Sequence, residues 1–269
     1  FPYTTLFRSV LGVRGGFDKG IRDNFIKTGT IHIVALSGYN VTIVAENLMK
    51  IFGYIFRQSV SIFFGIFSII LFVLLSGASA TAIRAGIMAS IALFARLTGR
   101  TYDAGRALVI AGLLMITYDV RVIFDISFQL SFLATIGVLF ITPKVIKWFW
   151  FIPQKLGLRD IVSTTVGATI IVLPLLLYST GILSIVSLPA NILILPLIPL
   201  TMLFIFITGA LGFLHPIIAM PFGYIAHALL SYILSIIDLF ANIPFASVTI
   251  KSFPIAIVFA LYIFIFWWI

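Results

Sequence analysis

The sequence predicts a polytopic bundle of membrane-spanning helices. Of its 269 residues, 62% are apolar and 9% are charged, and the mean hydropathy is +1.23. Ordinary soluble domains have about 45–50% apolar and about 25% charged residues, so a soluble fold of this length could not bury so much apolar surface. The apolar residues also come in runs of about 20, the length of a helix that crosses the hydrocarbon core. We therefore expect an all-α fold with about nine or ten membrane segments.

The first thirty residues differ from the rest in pattern and composition. Residues 1–9 also do not connect in pattern or composition to the residues after them, and we interpret them as a non-native leader outside the fold. Residues 10–30 carry four basic and two acidic side chains. Ile21, Phe25 and Ile26 predict one apolar face of a short amphipathic helix, lying on the membrane or against the bundle. The alternative for this stretch is a solvated connecting helix.

The membrane domain follows at 31–269, where apolar runs succeed one another. Each run is long enough to form a span or most of one. We place spans near 31–50, 59–76, 80–98, 104–118, 125–142, 161–179, 222–241 and 253–269.

The segment 181–214 does not fit this pattern. At about 1.5 Å per residue it is longer than one crossing of about 30 Å but too short for two. Pro189, Pro196 and Pro199 interrupt it. The spacing predicts a Pro-broken or re-entrant pair of helices, which would be buried in protein or line a water-filled cavity. Asn191 would satisfy backbone groups that the prolines free.

The basic residues predict an orientation for the first half of the chain. Loops near 50–58, 96–106 and 143–160 alternate with short loops that carry only Arg121, and together they hold nine lysines and arginines. The positive-inside rule places these basic loops in the cytoplasm of a multi-pass inner-membrane protein. The stretch before His32 is then extracytoplasmic.

The loop 143–160 also contains four consecutive aromatic residues, Trp148 to Phe151. Aromatic side chains beside lysines are typical of a helix at the membrane interface. The same composition would suit stacking with single-stranded nucleic acid. We favour the interface, and keep the nucleic acid as an alternative.

Polar residues inside the spans are the candidate functional residues, because polar groups in hydrocarbon need a partner or water. The first span is the richest in them. The candidates for a water-filled path are His32, Ser37, Gly38, Asn40, Glu46, Arg84, Asp125, Gln129, Ser131 and Asn191.

Structural explanations compete with these functional ones. Small residues around Arg84 favour close helix packing, while Arg84 itself would snorkel, pair with an acid or face the path. Asp125 is either a helix cap or a path residue. We expect Gln129 to hydrogen-bond across helices.

No catalytic machinery is recognisable in the sequence. The chain has no cysteine, which excludes disulfides and thiolate chemistry. Motifs of the HExxH, GxxxxGK[ST] and GxSxG types are absent from it. We therefore expect no metal, no cofactor and no enzyme activity.

Four motifs occur in an order that resembles one family. HIVALSGYNV at 32–41 is similar to the His-x-x-Ala-x-Ser-Gly-x-Asn/His-Val signature of the ComEC-type competence proteins. GASATAIRAGIM at 77–88, SFQLSFLATIG at 127–137 and LPANILILP at 188–196 look like its later landmarks. Asn40 stands where the signature often has histidine, so this chain has no imidazole at that position.

The resemblance implies a membrane channel that admits single-stranded DNA to the cytoplasm during natural transformation. It also implies a separate DNA receptor, a separate cytoplasmic translocation motor and contact with membrane lipid, and it leaves a homodimer open. Family members carry further soluble domains, an OB-like one and often a metallo-β-lactamase-like one, and we expect this chain to be the isolated, truncated channel domain. The alternatives are a transporter of small solutes or lipid precursors, and a membrane scaffold that transports nothing.

Overall fold

The chain forms a helical bundle, described here from a computed structural model for residues 19–31, 57–75, 77–154, 157–250 and 254–268. A short first helix precedes the membrane helices. The helices are α1 (Lys19–Lys27), α2 (Gln58–Leu75), α3 (Ala80–Leu97), α4 (Ala104–Tyr118), α5 (Ile126–Ile136), α6 (Thr142–Val145), α7 (Leu158–Thr180), α8 (Ser187–Ile194), α9 (Ile198–Leu214), α10 (Pro216–Ala241) and α11 (Ile255–Trp268).

The predicted fold class is confirmed. Among the described residues, six helical runs are long and apolar enough to cross a membrane, and two shorter apolar helices accompany them, α4 and part of α11. The helices that were predicted from apolar length begin and end within a few residues of their predicted bounds, except that α10 begins at Pro216 rather than near 222. The first predicted span, 31–50, lies almost entirely outside the described residues.

The Pro-broken pair consists of α8 and α9, joined by a 3-10 turn at Leu195–Leu197. Together they form a helical run from Ser187 to Leu214. Pro196 and Pro199 lie in the first two positions of the turn and of α9. Backbone N–H groups there have no acceptor within the helix, so the N–H that proline lacks costs no hydrogen bond. The prolines therefore interrupt the helix locally, and the helical run continues through the 3-10 turn.

A two-stranded antiparallel ladder, which the sequence did not predict, joins two connections at one end of the bundle. Strand β1 (Ile182–Ser184) follows α7, and β2 (Ser247–Thr249) follows α10. Ile182 pairs with Thr249, and Ser184 pairs with Ser247. The ladder ties the end of α7 to the end of α10.

Helix α1 packs against the bundle, which is one of the two arrangements expected for it. Phe25 is 4% exposed and packs in a cluster with Ile194 of α8 and Ile233 of α10. Asn24 Nδ2 donates a hydrogen bond of 2.9 Å to Asp238 Oδ1. This helix is therefore part of the folded domain.

Helix α5 continues into α6 through a π-helical turn at Gly137–Ile141. The combined run, Ile126–Val145, has 20 residues. The turn packs against α7, where Ile141 and Val145 form a buried cluster with Ile171. Large apolar side chains elsewhere on the bundle are exposed, for example Phe213 at 95% and Trp267 at 83%. Such a surface is suited to contact with lipid.

Candidate functional site

Half of the predicted path residues lie on described helices, and half do not. His32, Ser37, Gly38, Asn40 and Glu46 are outside the described residues. The structure places the other five on α3, on α5 and its N-cap, and on α8: Arg84, Asp125, Gln129, Ser131 and Asn191.

Arg84 lies in the second turn of α3, a helix built to pack closely. Ser79 caps its N-terminus by accepting a hydrogen bond from Ala82 N. Ala85 belongs to a cluster with α2 residues, and a Cβ atom on Gly86 would lie 2.8 Å from a methyl group of Val73. Small side chains let these helices approach each other. They leave the larger Arg84 side chain enclosed, at 8% exposure.

The guanidinium of Arg84 is held between α3 and α5. Nη1 donates a hydrogen bond to Thr135 Oγ1, and it lies 3.7 Å from the sulfur of Met88. The Thr135 hydroxyl in turn donates to the Ser131 carbonyl oxygen at 2.9 Å. The hydroxyl of Thr135 is thus both acceptor and donor, which fixes its direction and the position of Nη1.

These contacts place the guanidinium deep in the membrane. Thr135 is the tenth residue of the run that begins at Ile126, so it lies about 14 Å along a helix about 30 Å long. Met88 is one turn farther into α3 than Arg84, so the side chain extends inward rather than snorkelling towards Ser79. An arginine at mid-depth costs about 2.5–3.5 kcal/mol on insertion scales.

Arg84 has no acidic partner in the part of the chain that the structure describes. No ion pair there includes it, and its buried Nε has no hydrogen-bond partner among those residues. Asp125 is exposed and caps α5 by accepting from Ser127 N at 2.7 Å. The guanidinium therefore keeps hydrogen-bonding capacity, and no described carboxylate compensates its charge; Glu46 lies outside the described residues.

Gln129 and Ser131 lie on α5, but they act locally. Gln129 Nε2 donates to the Ile123 carbonyl oxygen at 2.7 Å, in the 3-10 turn Val120–Phe124 before α5. We expected Gln129 to hydrogen-bond to another membrane helix. It bonds instead to the turn before its own helix, because that turn brings the Ile123 carbonyl within reach. Ser131 is buried and contributes its backbone carbonyl to Thr135.

Asn191 is buried in α8 at 3% exposure. Its side-chain oxygen Oδ1 has no hydrogen-bond partner among the described residues. The oxygen can only accept, so a carbonyl group that the prolines free would have to bond with the Asn191 Nδ2 group instead. Oδ1 is thus a buried acceptor that the described residues leave without a donor.

Tyr102, in the loop between α3 and α4, is an electrostatic neighbour of Arg84. Burial raises the pKa of the Tyr102 phenol, against a lowering by the Arg84 guanidinium, and Asp103 raises the pKa further. The phenol is therefore neutral near pH 7 and supplies no countercharge to Arg84.

Thr135 and Tyr102 are the residues that sequence reasoning missed. Ser131 and Thr135 are four residues apart, so they share a face of α5, and that spacing could have revealed Thr135. No comparable signal links Tyr102 with Arg84, because Tyr102 lies beyond the far end of α3 in the sequence.

Comparison with known proteins agrees with the helical membrane bundle. The family model "Competence protein" matches residues 9–269. ComE operon protein 3 of Bacillus subtilis (strain 168) is 30% identical over 173 residues, which is 63% of this chain and 21% of that protein. The chain thus spans about a fifth of the length of this curated relative. No solved structure matches the chain.

The family match covers nearly the whole chain, including the described helices and the 32–56 segment that contains the first motif. The chain therefore belongs to the competence protein family.

Proposed function

We propose that this chain forms a membrane channel through which single-stranded DNA enters the cytoplasm during natural transformation. Membership of the competence protein family supports a role in DNA uptake. The apolar helical bundle supports a multi-pass membrane location. In this proposal the substrate is DNA, and the chain itself carries out no catalytic step.

The observation that carries the proposal is the guanidinium of Arg84. It is buried at mid-depth, and in the described part of the bundle its Nε is unpartnered and no carboxylate pairs with it. An arginine fork matches two phosphate oxygens and stays charged at any physiological pH. A polyanion that passes Arg84 would supply the countercharge and the acceptors that the described residues do not give this guanidinium.

Other residues would line the same path. Ser131, Gln129 and Asn191 are described polar groups of the bundle, and Asp125 lies at the start of α5. The proposal also includes the polar and small residues of the first predicted span, which are His32, Ser37, Gly38, Asn40 and Glu46. Hydroxyl and amide groups of this kind would replace water around the sugar and phosphate groups of the strand. A separate DNA receptor, a cytoplasmic motor and a homodimer belong to the proposal as partners.

The orientation in the inner membrane is part of the proposal. Helix α7 begins at Leu158, beside the basic loop, and ends at Thr180, next to β1. Gly29 closely approaches Ser184 of β1. The stretch that precedes His32 is thus separated from the basic loop by the 23 residues of α7, about 35 Å of helix. With the basic loop in the cytoplasm, that stretch would be extracytoplasmic.

The test is passage of single-stranded DNA into vesicles that contain the full-length protein and its motor, at two salt concentrations. Arg84→Ala should lower passage about tenfold or more, because a hydrogen bond to a charged group contributes about 1.5–3 kcal/mol. It should also reduce the salt dependence of binding by roughly 0.7 in log–log slope, the value for one contact to a single-stranded phosphate. Arg84→Lys should retain part of the activity, since it keeps the charge but not the fork.

The matched control is Arg96→Ala, which removes an exposed arginine from the last turn of the same helix. Passage by this variant should equal that of the wild type. If Arg84→Ala passes DNA at the wild-type rate with unchanged salt dependence, Arg84 does not contact the strand. If the wild-type protein passes a small anionic solute and no DNA, the channel function itself is wrong.

A further inference from the structure

The connection between α6 and α7 presents three large aromatic side chains to the outside. We call residues 146–154 the aromatic loop. Trp148, Trp150 and Phe151 are 56%, 76% and 65% exposed. Side chains of this size are seldom exposed together on a surface that meets only water. More than half of each side chain is open to surroundings beyond the described residues, where a further partner can contact it.

The aromatic loop is held in one shape from inside. Phe149 packs against the buried cluster of Ile141, Val145 and Ile171. Its ring also meets that of Phe151 edge to face, with centroids 6.1 Å apart. Phe149 therefore fixes the loop from the inside, and the other aromatic side chains of the loop lie around it.

Arg159 fixes the other side of the aromatic loop. Its Nη2 donates to the Trp150 carbonyl oxygen at 2.6 Å, and its Nε donates to the Ile152 carbonyl oxygen at 3.0 Å. One guanidinium thus spans two carbonyl groups of the loop from the start of α7. The geometry requires the fork of arginine, since a lysine ammonium could not reach both in the same way.

The depth of the aromatic loop is set by the helix before it. The run Ile126–Val145 has 20 residues and is therefore about 30 Å long, which equals the thickness of a hydrocarbon core. Trp148 comes three residues after the end of this run. The exposed aromatic side chains therefore lie at the level of the lipid headgroups, where tryptophan is enriched.

The charge around the aromatic loop is positive. Lys144 and Lys147 are exposed beside it. In sequence, Lys155 and Arg159 add two more cations against the single acid Asp160. Basic side chains at this level attract anionic headgroups, by about 1 kcal/mol for each lysine near the surface.

We propose that the aromatic loop is a preformed binding site for anionic phospholipid headgroups, held in shape by Arg159. Trp148, Trp150 and Phe151 enter the headgroup layer, and Lys144 and Lys147 meet the phosphates. Single-stranded DNA is the competing occupant, but the span before the loop sets its aromatic side chains at the depth of the headgroups rather than in a path between helices. The proposal stands apart from the DNA channel and is tested separately.

Tryptophan fluorescence tests the proposal in the intact chain. The sequence has four tryptophans, so the variant Trp267→Phe/Trp268→Phe leaves emission from the two in the aromatic loop alone. The chain is reconstituted in nanodiscs of phosphatidylcholine with a minority of phosphatidylglycerol. In each sample, one of the two lipids carries bromine on its acyl chains. We expect stronger quenching by bromine near the glycerol than by bromine near the methyl end. Quenching should also be greater when phosphatidylglycerol carries the bromine at the same mole fraction.

Charge variants separate the contributions to this preference. Removing each lysine should weaken the preference for phosphatidylglycerol roughly fivefold, so Lys144→Gln/Lys147→Gln should abolish it while depth-dependent quenching remains. Arg159→Lys keeps the charge, and should retain the lipid preference but broaden the distribution of depths. The control Arg96→Gln/Arg100→Gln removes two exposed cations from the end of α3 and the residues after it, also on the predicted cytoplasmic side. It should leave the quenching unchanged.

Two results would overturn the proposal. The first is water-like emission that brominated lipid leaves unchanged at either depth. The second is quenching by an added oligothymidylate with no preference for phosphatidylglycerol, which would assign the aromatic loop to nucleic acid.

Discussion

Gly137 and Gly167 lie backbone to backbone, so that a Cβ atom on Gly137 would be 2.5 Å from the Gly167 carbonyl oxygen. This approach lies where the π-helical turn after α5 meets α7. A Cβ atom on Gly167 would likewise lie 3.0 Å from the backbone nitrogen of Thr142. Because the atoms nearest to Gly137 are backbone atoms, they cannot turn aside as a side chain could.

We therefore predict that Gly137→Ala destabilises the bundle by about 1–3 kcal/mol, the usual range for overpacking. The matched control is Gly212→Ala in α9, where a Cβ atom would meet nothing within 4 Å. That variant should be neutral or slightly stabilising, since alanine favours helix over glycine. Unfolding in detergent measures both. Equal stability of the two variants would contradict the close contact.

Gly29 allows a second comparison of this kind. Its φ is +68°, and a Cβ atom would lie 2.8 Å from Ser187 Cβ and 3.0 Å from Ser184 Cβ. Gly99 has nearly the same φ, +66°, but open space around it. Substitution by alanine costs roughly 1–2 kcal/mol of backbone strain at either position. Gly29→Ala should cost about 1–3 kcal/mol more than Gly99→Ala, because the clash adds to the strain. If the two variants unfold at the same temperature, Gly29 is not packed as described.

The hydrogen bond between Arg84 and Thr135 can be measured without DNA. We expect a double-mutant cycle of Arg84→Met and Thr135→Val to give a coupling free energy of about 0.5–3 kcal/mol. Thr135→Ser keeps the hydroxyl and should retain most of that coupling, whereas Thr135→Val alone leaves a buried donor of Arg84 unsatisfied. Chemical unfolding in lipid–detergent mixtures supplies the four stabilities. Additive effects would mean that the two side chains do not interact.

The docking of α1 depends on one aromatic side chain. Phe25→Ala should destabilise the domain by about 3–5 kcal/mol, since the ring is buried against α8 and α10. The neighbouring Arg22 is exposed, so Arg22→Ala should stay within about 0.5 kcal/mol of the wild type. Thermal unfolding compares the two variants. A Phe25→Ala protein as stable as Arg22→Ala would place α1 on the membrane surface instead.

The sequence predicted the membrane helices well because the bilayer sets their length. Residues 80–98 were expected as a span and are found as α3, which is long enough to cross a membrane. Contacts between helices were harder to predict from the sequence. The close approach of Gly137 to Gly167 depends on how two helices cross, and the pairing of Ser184 with Ser247 joins residues that no local pattern relates. Both arise from tertiary packing.

The candidate site was predictable in part for the same reason. Arg84 stood out because a charge within a span is rare, whereas Thr135 is an ordinary residue until its partner is known. For Asp125 the sequence indicated two roles, a helix cap and a path residue, and the structure shows the cap. The roles of His32, Ser37, Gly38, Asn40 and Glu46 remain predictions.

The hydrogen bond from Asn24 to Asp238 also bears on the order of assembly during synthesis. The two residues are 214 positions apart, and the pocket for Phe25 includes Ile233 and Ile237. When α1 leaves the ribosome, the surface that will receive it has not yet been translated. Helix α1 therefore stays exposed, or bound to an insertion factor, until α10 is in the membrane. Closure of the domain is thus a late step, and a chain arrested before Ile233 would expose a helix that proteases can reach.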